Sequence, residues 1–433
     1  LFESWWRVTS APAYEEIRQR ALELVESTRI DPVRDRDAAR AVVTGAVDEY
    51  QRRAHLGHGR ALHNPSDMID RVLRAVSELG PLTDLLARRD LEEVFIEGGR
   101  VSFIDSVGRL RGLDQPTSEA ENRQVVDRLL GESDRRLDAS SPIVQARVLE
   151  GSARLTAVIS PIADQLSVTI RRYALRRESL QSLTELGSLT AAAANFLALI
   201  ARTNASYLVS GPPGSGKTSL LAALIAATPA GLCIRCCEEV RELHVPLLHG
   251  SYYEARPASL DGRGEISLRD LVKVILAMRP DRIIVGEVRG AEAFELTRAL
   301  NAGCGFGCTV HANSARDALN ALVNAAMMAG ENVGETVVRK VFSNSIDVVV
   351  HLDRDVAGST EGPLRRQVME ILALVPALHN DFSTQPLFVR RGLGNPLEWT
   401  GALPPDSLAT RLERVLPHGA SLSGVLEGTV SVQ

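Results

Sequence analysis

The chain has 433 residues, of which 45% are hydrophobic, and this is enough apolar side chain for more than one buried core. Its formal net charge is −5, and acidic and basic residues are intermixed, which weighs against a basic nucleic-acid-binding arm. No apolar stretch reaches the roughly 18 to 20 residues that span a bilayer. The sequence also lacks the basic start and the long apolar core that are typical of a signal peptide. We therefore expect a cytoplasmic protein without a membrane span.

Residues 1–65 are predicted to form a charged, helical N-terminal extension. The segment YEEIRQRALELV spaces its apolar side chains as on one face of a helix. These side chains are Tyr14, Ile17, Ala21, Leu24 and Val25. The pattern favours an amphipathic helix that packs on its neighbours.

Residues 66–173 are predicted to form a smaller α+β domain. The helix MIDRVLRAVSEL is expected to stop at Gly80-Pro81. Two strands follow in LEEVFIEGG and RVSFIDSVGRL, joined by a Gly-Gly turn, and two more are predicted in ARLTAVISPI and LSVTIRRY. Residues 174–190 are predicted to be a linker that leads into a helix.

Residues 191–400 are predicted to form a larger α/β domain, and residues 401–433 a C-terminal tail. Strands in ASYLVSG, LCIRCC, DRIIVGE, GCTVHAN and IDVVVHL alternate with helices such as SLRDLVKVILAM. Alternation of this kind indicates a mostly parallel sheet with helices on both faces. The last 50 residues are expected to be loop-rich. The five cysteines fall in strand-like segments without paired metal knuckles, so we expect reduced thiols in the core.

A phosphate-binding loop is predicted where GPPGSGKTSLLAAL follows a short apolar strand and opens an Ala/Leu-rich helix. Gly211, Gly216, Lys217 and Thr218 have the required spacing. Glycines let backbone N–H groups curve around phosphates, the lysine reaches the β- and γ-phosphates, and the threonine hydroxyl ligates Mg²⁺. No Asn-Lys-x-Asp guanine-reading motif is found, which favours ATP over GTP. The predicted nucleotide-binding residues are Gly211, Pro212, Pro213, Gly214, Ser215, Gly216, Lys217, Thr218 and Ser219.

Three further motifs follow the phosphate loop in a fixed order, and together with it they carry a family resemblance. RPDRIIVGEVRG resembles the strand of the type II/type IV secretion ATPases that ends in Gly-Glu, where most phosphate-loop nucleotidases have an aspartate. CCEEVREL resembles the acidic box of that family, and ALNAGCGFGCTVHANSARDAL its histidine box. Upstream, SELGPLTDLLARRDLEEVFIEG, ASSPIVQARV and SVTIRRY resemble the N-terminal domain of the CpaF/TadA-type branch, which serves Tad/Flp pili. The resemblance implies a RecA-like core after a smaller N-terminal domain.

The resemblance also implies roles for particular residues. Glu287 would orient the attacking water or act through Mg²⁺, and Glu238 is the second candidate for activating that water. The predicted metal ligands are Thr218, Glu239 and Glu287, with Glu242 in support. His311 would sense the γ-phosphate.

Two arginines of the N-terminal domain are implied to reach the phosphates. They are Arg154 in GSARL and Arg171 in TIRRY, which would neutralise charge during phosphoryl transfer. Whether Arg171 or Arg172 takes this role stays open at the level of sequence.

The sequence departs from the family at a few positions near these motifs. Cys304 stands where a histidine is frequent, and the acidic box reads Glu-Glu where Glu-Asp is usual. Both departures are expected to slow hydrolysis without abolishing it, since Lys217, Thr218 and Glu287 are present.

The sequence therefore predicts an ATPase that uses ATP and Mg²⁺ as a homohexamer. It would act at the inner face of the plasma membrane through an inner-membrane platform protein, to assemble a pilus or secrete protein. Two alternatives stay open. One is a nucleic-acid motor, such as a helicase or a conjugative DNA-transfer ATPase, and the other is a nucleotide-gated scaffold with little turnover.

Overall fold

The chain divides into two compact units, Leu1–Ala174 and Leu175–Gln433. The finer five-part division stays a prediction, and residues 1–11 of the predicted extension and 174–178 of the predicted linker lie outside the described residues. A computed structural model describes residues 12–88, 90–105, 108–131, 133, 135–173, 179–256, 258, 262–330, 334–355, 364–376 and 381–432.

Unit 1 begins with three helices that share a small apolar core. Their bounds are Pro12–Thr28 for α1, Arg36–His55 for α2 and Pro65–Ser77 for α3. The side chains of Asp35 and Asn64 accept hydrogen bonds from backbone N–H groups in the first turns of α2 and α3, which fixes where these helices start. The predicted face of α1 is confirmed: Tyr14, Ile17 and Ala21 are fully buried against α2 and α3.

The rest of unit 1 is a six-stranded antiparallel sheet with one short helix and one longer helix. After a 3-10 turn at Gly80–Leu82, the elements are α4 Thr83–Ala87, β1 Leu91–Glu97, β2 Arg100–Asp105, β3 Leu110–Gly112, α5 Glu119–Leu130, β4 Ile143–Val148, β5 Ala153–Val158 and β6 Ser167–Arg172. The strand order is β3-β2-β1-β6-β5-β4. The predicted Gly-Gly turn joins β1 to β2, and Gly98 there has a φ of +56°.

Unit 2 is built on a nine-stranded sheet. Its strands are β7 Tyr207–Ser210, β8 Ile234–Glu238, β9 Gly250–Glu254, β10 Arg282–Val285, β11 Gly305–Val310, β12 Val348–Arg354, β13 Arg366–Val375, β14 Ser383–Arg390 and β15 Leu397–Trp399. Their order is β15-β14-β13-β12-β7-β11-β10-β8-β9. The six strands from β12 to β9 pair in parallel, and the three from β13 to β15 add an antiparallel edge.

Helices cover both faces of this sheet, as the alternating pattern predicted. They are α6 Leu180–Glu185, α7 Ala191–Arg202, α8 Lys217–Ala226, α9 Leu268–Leu276, α10 Glu292–Asn301, α11 Ala315–Met327, α12 Glu335–Ser345, α13 Asp406–Glu413 and α14 Leu422–Glu427. One hydrophobic cluster joins α7, α8 and α14 to the sheet. A second cluster joins the four helices α9, α10, α11 and α12 to the sheet. Because both faces are covered, β7, β10 and β11 are buried along their whole length and have mostly apolar sequences.

The C-terminal part of unit 2 corrects the sequence analysis. The last 50 residues, expected to be loop-rich, contain β15, α13, α14 and most of β14. Pro386 lies inside β14, and a proline within an apolar run weakens the pattern of a strand. Val432 of the predicted tail is held to α7, since its carbonyl oxygen accepts a hydrogen bond of 2.7 Å from Arg202.

The core of unit 2 also holds most of the cysteines, which are free thiols. Cys236, Cys237, Cys304 and Cys308 are buried, as predicted, and burial raises the pKa of Cys304 to about 11. Within the described ranges, no cluster of three or more His, Cys, Asp or Glu side chains is arranged to hold a metal ion. None of the described helices combines the length and apolarity that a bilayer crossing requires.

Candidate active site

The phosphate loop connects β7 to α8 at the carboxyl end of a central strand. Gly211, Gly214 and Gly216 have φ values of +152°, +73° and +93°, which favour glycine. A Cβ atom on Gly211 would lie 2.4 Å from the carbonyl oxygen of Leu352 and 2.6 Å from Ser215 Oγ, so a larger residue does not fit. Gly216 precedes α8 without a capping side chain. The first N–H groups of α8 therefore remain for an anion.

The ammonium group of Lys217 spans the loop and reaches the end of β11. Its Nζ donates hydrogen bonds of 3.0 Å to the carbonyl oxygens of Gly211 and Pro212. It also lies 3.1 Å from Nδ1 of His311, which follows β11. The lysine is buried, so a positive charge is held where phosphates would bind.

Glu287, two residues after β10, is the centre of a chain of charged contacts. Its Oε1 lies 2.5 Å from His311 Nε2, a short contact whose angles are not those of a hydrogen bond. Its Oε2 accepts a hydrogen bond from Arg289 Nη2, and Arg289 Nη1 lies 3.6 Å from Glu239 Oε2. Lys217, His311, Glu287, Arg289 and Glu239 thus form one connected set, which we call the acidic-side network.

Burial and charge keep His311 neutral in this network. Partial burial is the main cause that lowers the pKa of His311, and the ammonium of Lys217 lowers it further, while Glu287 acts in the opposite direction. A neutral imidazole has one nitrogen that accepts and one that donates. In His311, Nδ1 faces the ammonium of Lys217 and Nε2 faces the carboxylate of Glu287.

The Gly-Glu end of β10 has a packing reason. A Cβ atom on Gly286 would lie 2.6 Å from Cγ and 2.9 Å from Oε1 of Glu238, the last residue of β8. The side chain of Glu238 therefore occupies the space that any other residue would need. Its two carboxylate oxygens accept hydrogen bonds of 3.2 Å from the backbone N–H groups of Glu242 and Leu243.

Glu238 is thereby placed differently from Glu287. It is only 4% exposed, and burial raises its pKa to about 8 although the two N–H groups act against this. At neutral pH the carboxyl group is therefore largely protonated, which makes it a poor acceptor for a proton from water. Glu287 is more open and belongs to the acidic-side network.

The other predicted nucleotide-binding residues follow the loop in order. Pro213 is exposed at its tip, and Ser215 is fully buried within it. Thr218 and Ser219 are half-buried in the first turn of α8, directly after Lys217. Their hydroxyl groups are thus at the helix N-terminus, where a phosphate-bound cation would be held.

The two predicted arginines of unit 1 are neighbours. Arg154 on β5 and Arg171 on β6 are direct cross-strand partners. Arg154 Nη2 donates a hydrogen bond of 2.7 Å to Gln145 Oε1, and Arg171 Nε lies 3.5 Å from Glu93 Oε1. The guanidinium of Arg172 instead donates to the carbonyl oxygen of Leu86 inside the unit. Arg171 is the exposed member of the pair that the sequence left open.

Sequence analysis missed several residues that shape the site. Arg289 lies within the Gly-Glu motif, but no role was assigned to it. Leu352 on β12 packs its carbonyl oxygen against Gly211, and His351 Nδ1 lies 3.0 Å from Ser210 Oγ beneath the loop. Arg289 could have been found, because an arginine two residues from a predicted catalytic carboxylate can pair with it. Leu352 and His351 could not, because the sequence of β12 contains no recognisable motif.

Cys304 lies apart from the acidic-side network, and its effect on hydrolysis stays a prediction. Cys304 precedes β11 at its amino end, while His311 follows the carboxyl end of the same strand. Opposite ends of a six-residue strand do not share a site. Cys304 is therefore not a member of the acidic-side network.

Comparison with known proteins adds a family to this geometry. Residues 92–379, more than half of the chain, match the family described as "Type II/IV secretion system protein". A Mycobacterium tuberculosis protein named for conjugal transfer is 34% identical over 305 residues, which cover 68% of this chain and 84% of that protein. The type IV secretion system protein VirB11 of Bartonella quintana is 27% identical over 334 residues, covering 68% and 92%.

Among solved structures, the Legionella pneumophila ATPase DotB matches with a TM-score of 0.48 at 17% identity, over 67% of this chain and 78% of that one. The predicted enzyme class, an ATP-hydrolysing enzyme, is confirmed by the family together with the phosphate loop. The chain belongs to the family of type II/IV secretion system proteins.

Proposed function

We propose that this secretion ATPase powers the assembly of a Tad/Flp-type pilus, or the export of protein, as a homohexamer that acts on an inner-membrane platform protein. One observation carries the proposal. The acidic-side network connects the phosphate loop, through Lys217 and His311, to the Gly-Glu strand and the acidic box. Those are motifs on which the resemblance to the type II/type IV secretion ATPases rests, while the resemblance to the pilus branch rests on SELGPLTDLLARRDLEEVFIEG, ASSPIVQARV and SVTIRRY upstream.

In the proposed reaction, Glu287 orients the water that attacks the γ-phosphate. A carboxylate near that phosphate must accept or direct a proton of the water. Contacts with His311 and Arg289 hold the Glu287 carboxylate in place. Glu238 serves as a positioning residue, because it fills the space beside Gly286 and holds the backbone of residues 242 and 243.

The donor set fits Mg²⁺ bound together with a nucleotide. Mg²⁺ takes few ligands from such proteins, usually one hydroxyl and one or two carboxylates, and completes its shell with phosphate oxygens and water. Thr218 would supply the hydroxyl, and Glu287 and Glu239 would supply the carboxylates. Glu287 Oε1 is buried and accepts no hydrogen bond from any described residue, so it has capacity for a further partner. The metal would neutralise charge on the phosphates.

The nucleotide would enter with its phosphates on the loop N–H groups and Lys217. Lys217 would exchange its two carbonyl acceptors, Gly211 and Pro212, for phosphate oxygens, because an ionised acceptor gives the stronger hydrogen bond. His311 Nδ1 lies 3.1 Å from the same ammonium, so this contact would change with the exchange. His311 and Glu287 would in this way register whether the γ-phosphate is present. The contribution of Arg154 and Arg171 stays a proposal that rests on the family resemblance.

A second candidate function is conjugal DNA transfer. Relatives in Mycobacterium tuberculosis and Rhizobium radiobacter are named for conjugal transfer. The same ATPase site would serve either system. The intermixed charge and the net charge of −5 favour a protein partner over direct contact with DNA.

The test replaces Glu287 by Gln in the source bacterium, beside Glu413→Gln, an exposed site on α13, as a matched control. We expect loss of surface pili or of exported protein in the first strain and neither loss in the second. Loss of DNA transfer with pili and export intact would favour the second candidate. Light scattering on the purified protein with Mg²⁺-ATP should give the mass of six chains, and a monomer at every concentration would contradict the ring.

A further inference from the structure

The strand on the other side of the phosphate loop, β12, ends in an arginine to which no role has been given. Leu352 and Arg354 lie two residues apart on β12. Residues with this spacing lie on the same face of a strand. Leu352 packs against Gly211. A Cβ atom on Gly214 would lie 3.5 Å from both Cζ and Nε of Arg354, so the guanidinium lies against the backbone of the loop.

The charge on Arg354 is not balanced within the described part of the chain. Its guanidinium has no hydrogen-bond or ion-pair partner there, since Asp353 accepts from its backbone N–H and Asp355 pairs with Arg365 at 3.3 Å. Arg366 stands directly opposite Arg354 on β13. The guanidinium of Arg354 is therefore available to a ligand that stacks on it or pairs with it.

Sheet order determines which part of a nucleotide would meet Arg354. In the order β12-β7-β11-β10, the strands that carry His311 and Glu287 lie on one side of β7, and β12 lies on the other. The γ-phosphate must face Glu287 and His311 if they act on it. The nucleoside end then leaves the loop on the side of β12.

We infer that Arg354 binds the nucleoside end of the nucleotide, with its guanidinium against the face of the adenine base. A planar guanidinium stacks well on an aromatic ring, and the ring face attracts a cation. Arg354 would thus contribute to affinity for the nucleoside and leave the chemical step to the acidic-side network. The inference rests on the proposed nucleotide site and adds a residue to it.

The experiment compares binding of ATP, ADP and inorganic tripolyphosphate, with Mg²⁺, by calorimetry. The variants are Arg354→Gln, Arg354→Lys and, as a control that removes a charge from the same hairpin, Arg365→Ala. We expect Arg354→Gln to weaken ATP and ADP by the same factor, about 3- to 10-fold, and to leave tripolyphosphate unchanged. Arg354→Lys should recover part of the loss, and Arg365→Ala should bind as the wild type does.

Steady-state rates give a second measurement. Arg354→Gln should raise KM for ATP with kcat at saturation unchanged, as expected for a residue that binds substrate and transition state equally.

Three results would overturn the inference. Unchanged ATP and ADP affinities in Arg354→Gln would remove Arg354 from the site. A loss for ATP and tripolyphosphate that exceeds the loss for ADP would place Arg354 at the γ-phosphate instead. A wild-type chain that binds neither nucleotide would overturn the proposed function itself, and this inference with it, which separates the two failures.

Discussion

The two sides of the phosphate loop differ in chemistry and in how they are encoded. On the side of β10 and β11, charged residues at strand ends form the acidic-side network around Glu287. On the side of β12, the backbone and side chain of Leu352 shape the loop, and Arg354 lies against Gly214. One side can act on a phosphate, and the other can hold the loop and the rest of a nucleotide. The charged residues of the acidic-side network lie in motifs that can be recognised in the sequence. The residues of β12 that shape the loop do not lie in such a motif.

The largest expected effect comes from the residue that touches the acidic-side network and the loop at once. Lys217→Ala removes the ammonium that bridges Gly211, Pro212 and His311. We expect nucleotide affinity and turnover both to fall, the latter by about 100-fold or more, because the loss affects binding and transition-state charge. Calorimetry and phosphate release measure the two. If the variant kept its nucleotide affinity and lost turnover, Lys217 would act in the chemical step alone and not in nucleotide binding.

A smaller loss is expected from His311→Ala, which tests the acidic-side network away from the loop. Without the imidazole, Glu287 keeps Arg289 but loses the contact that links it to Lys217. Turnover should fall by about 10- to 100-fold, the range for residues that orient a metal ligand, with nucleotide affinity changed little. Single-turnover rates with bound Mg²⁺-ATP measure this. An equal loss of affinity would break the proposed division between the two sides.

Gly286→Ala tests the packing within the acidic side. The added Cβ meets Glu238 at 2.6 Å, so the two strand ends must separate, and we expect a destabilisation of about 1 to 3 kcal/mol. The same substitution in a Glu238→Ala background should cost less, because the side chain in the way is gone. Denaturant unfolding of the four proteins measures this. Additive costs would show that Glu238 is not the reason for the glycine.

The last expected effect is a pH dependence from Glu238. Burial raises its pKa to about 8 in the folded chain from an ordinary value of 4.5, so the folded chain retains a proton that the unfolded chain has lost. Stability therefore falls as the pH rises between those values. Relative to Glu238→Gln, the wild type should lose more than about 1 kcal/mol between about pH 5 and pH 8. If the difference in unfolding free energy between the wild type and Glu238→Gln does not change with pH, the carboxyl group of Glu238 is not buried and protonated as described.

Much of the fold could be predicted because its elements have strong local signals. β7, β10 and β11 are buried and mostly apolar, and the loop glycines are required by positive φ values or close contacts. β14 escaped prediction because Pro386 and several polar residues interrupt its apolar pattern.

The site was predicted only in part, for a related reason. Residues in ordered motifs, such as Lys217 and Glu287, have spacing that can be recognised in a single chain. Leu352 and Arg354 lie about 140 residues from the loop they contact, and only strand order brings them there. The burial of Glu238 was equally hidden, because it depends on Gly286 of a neighbouring strand.

The most direct test of the account is one measurement on Glu287→Gln. ATP affinity and phosphate release should be determined on the same preparation, over a range of protein concentrations, beside the wild type. The account predicts that the variant binds Mg²⁺-ATP within about threefold of the wild type and releases phosphate at least about 100 times more slowly. Phosphate release at the wild-type rate would contradict the assignment of the chemical step to Glu287 and to the side of the loop on which it lies.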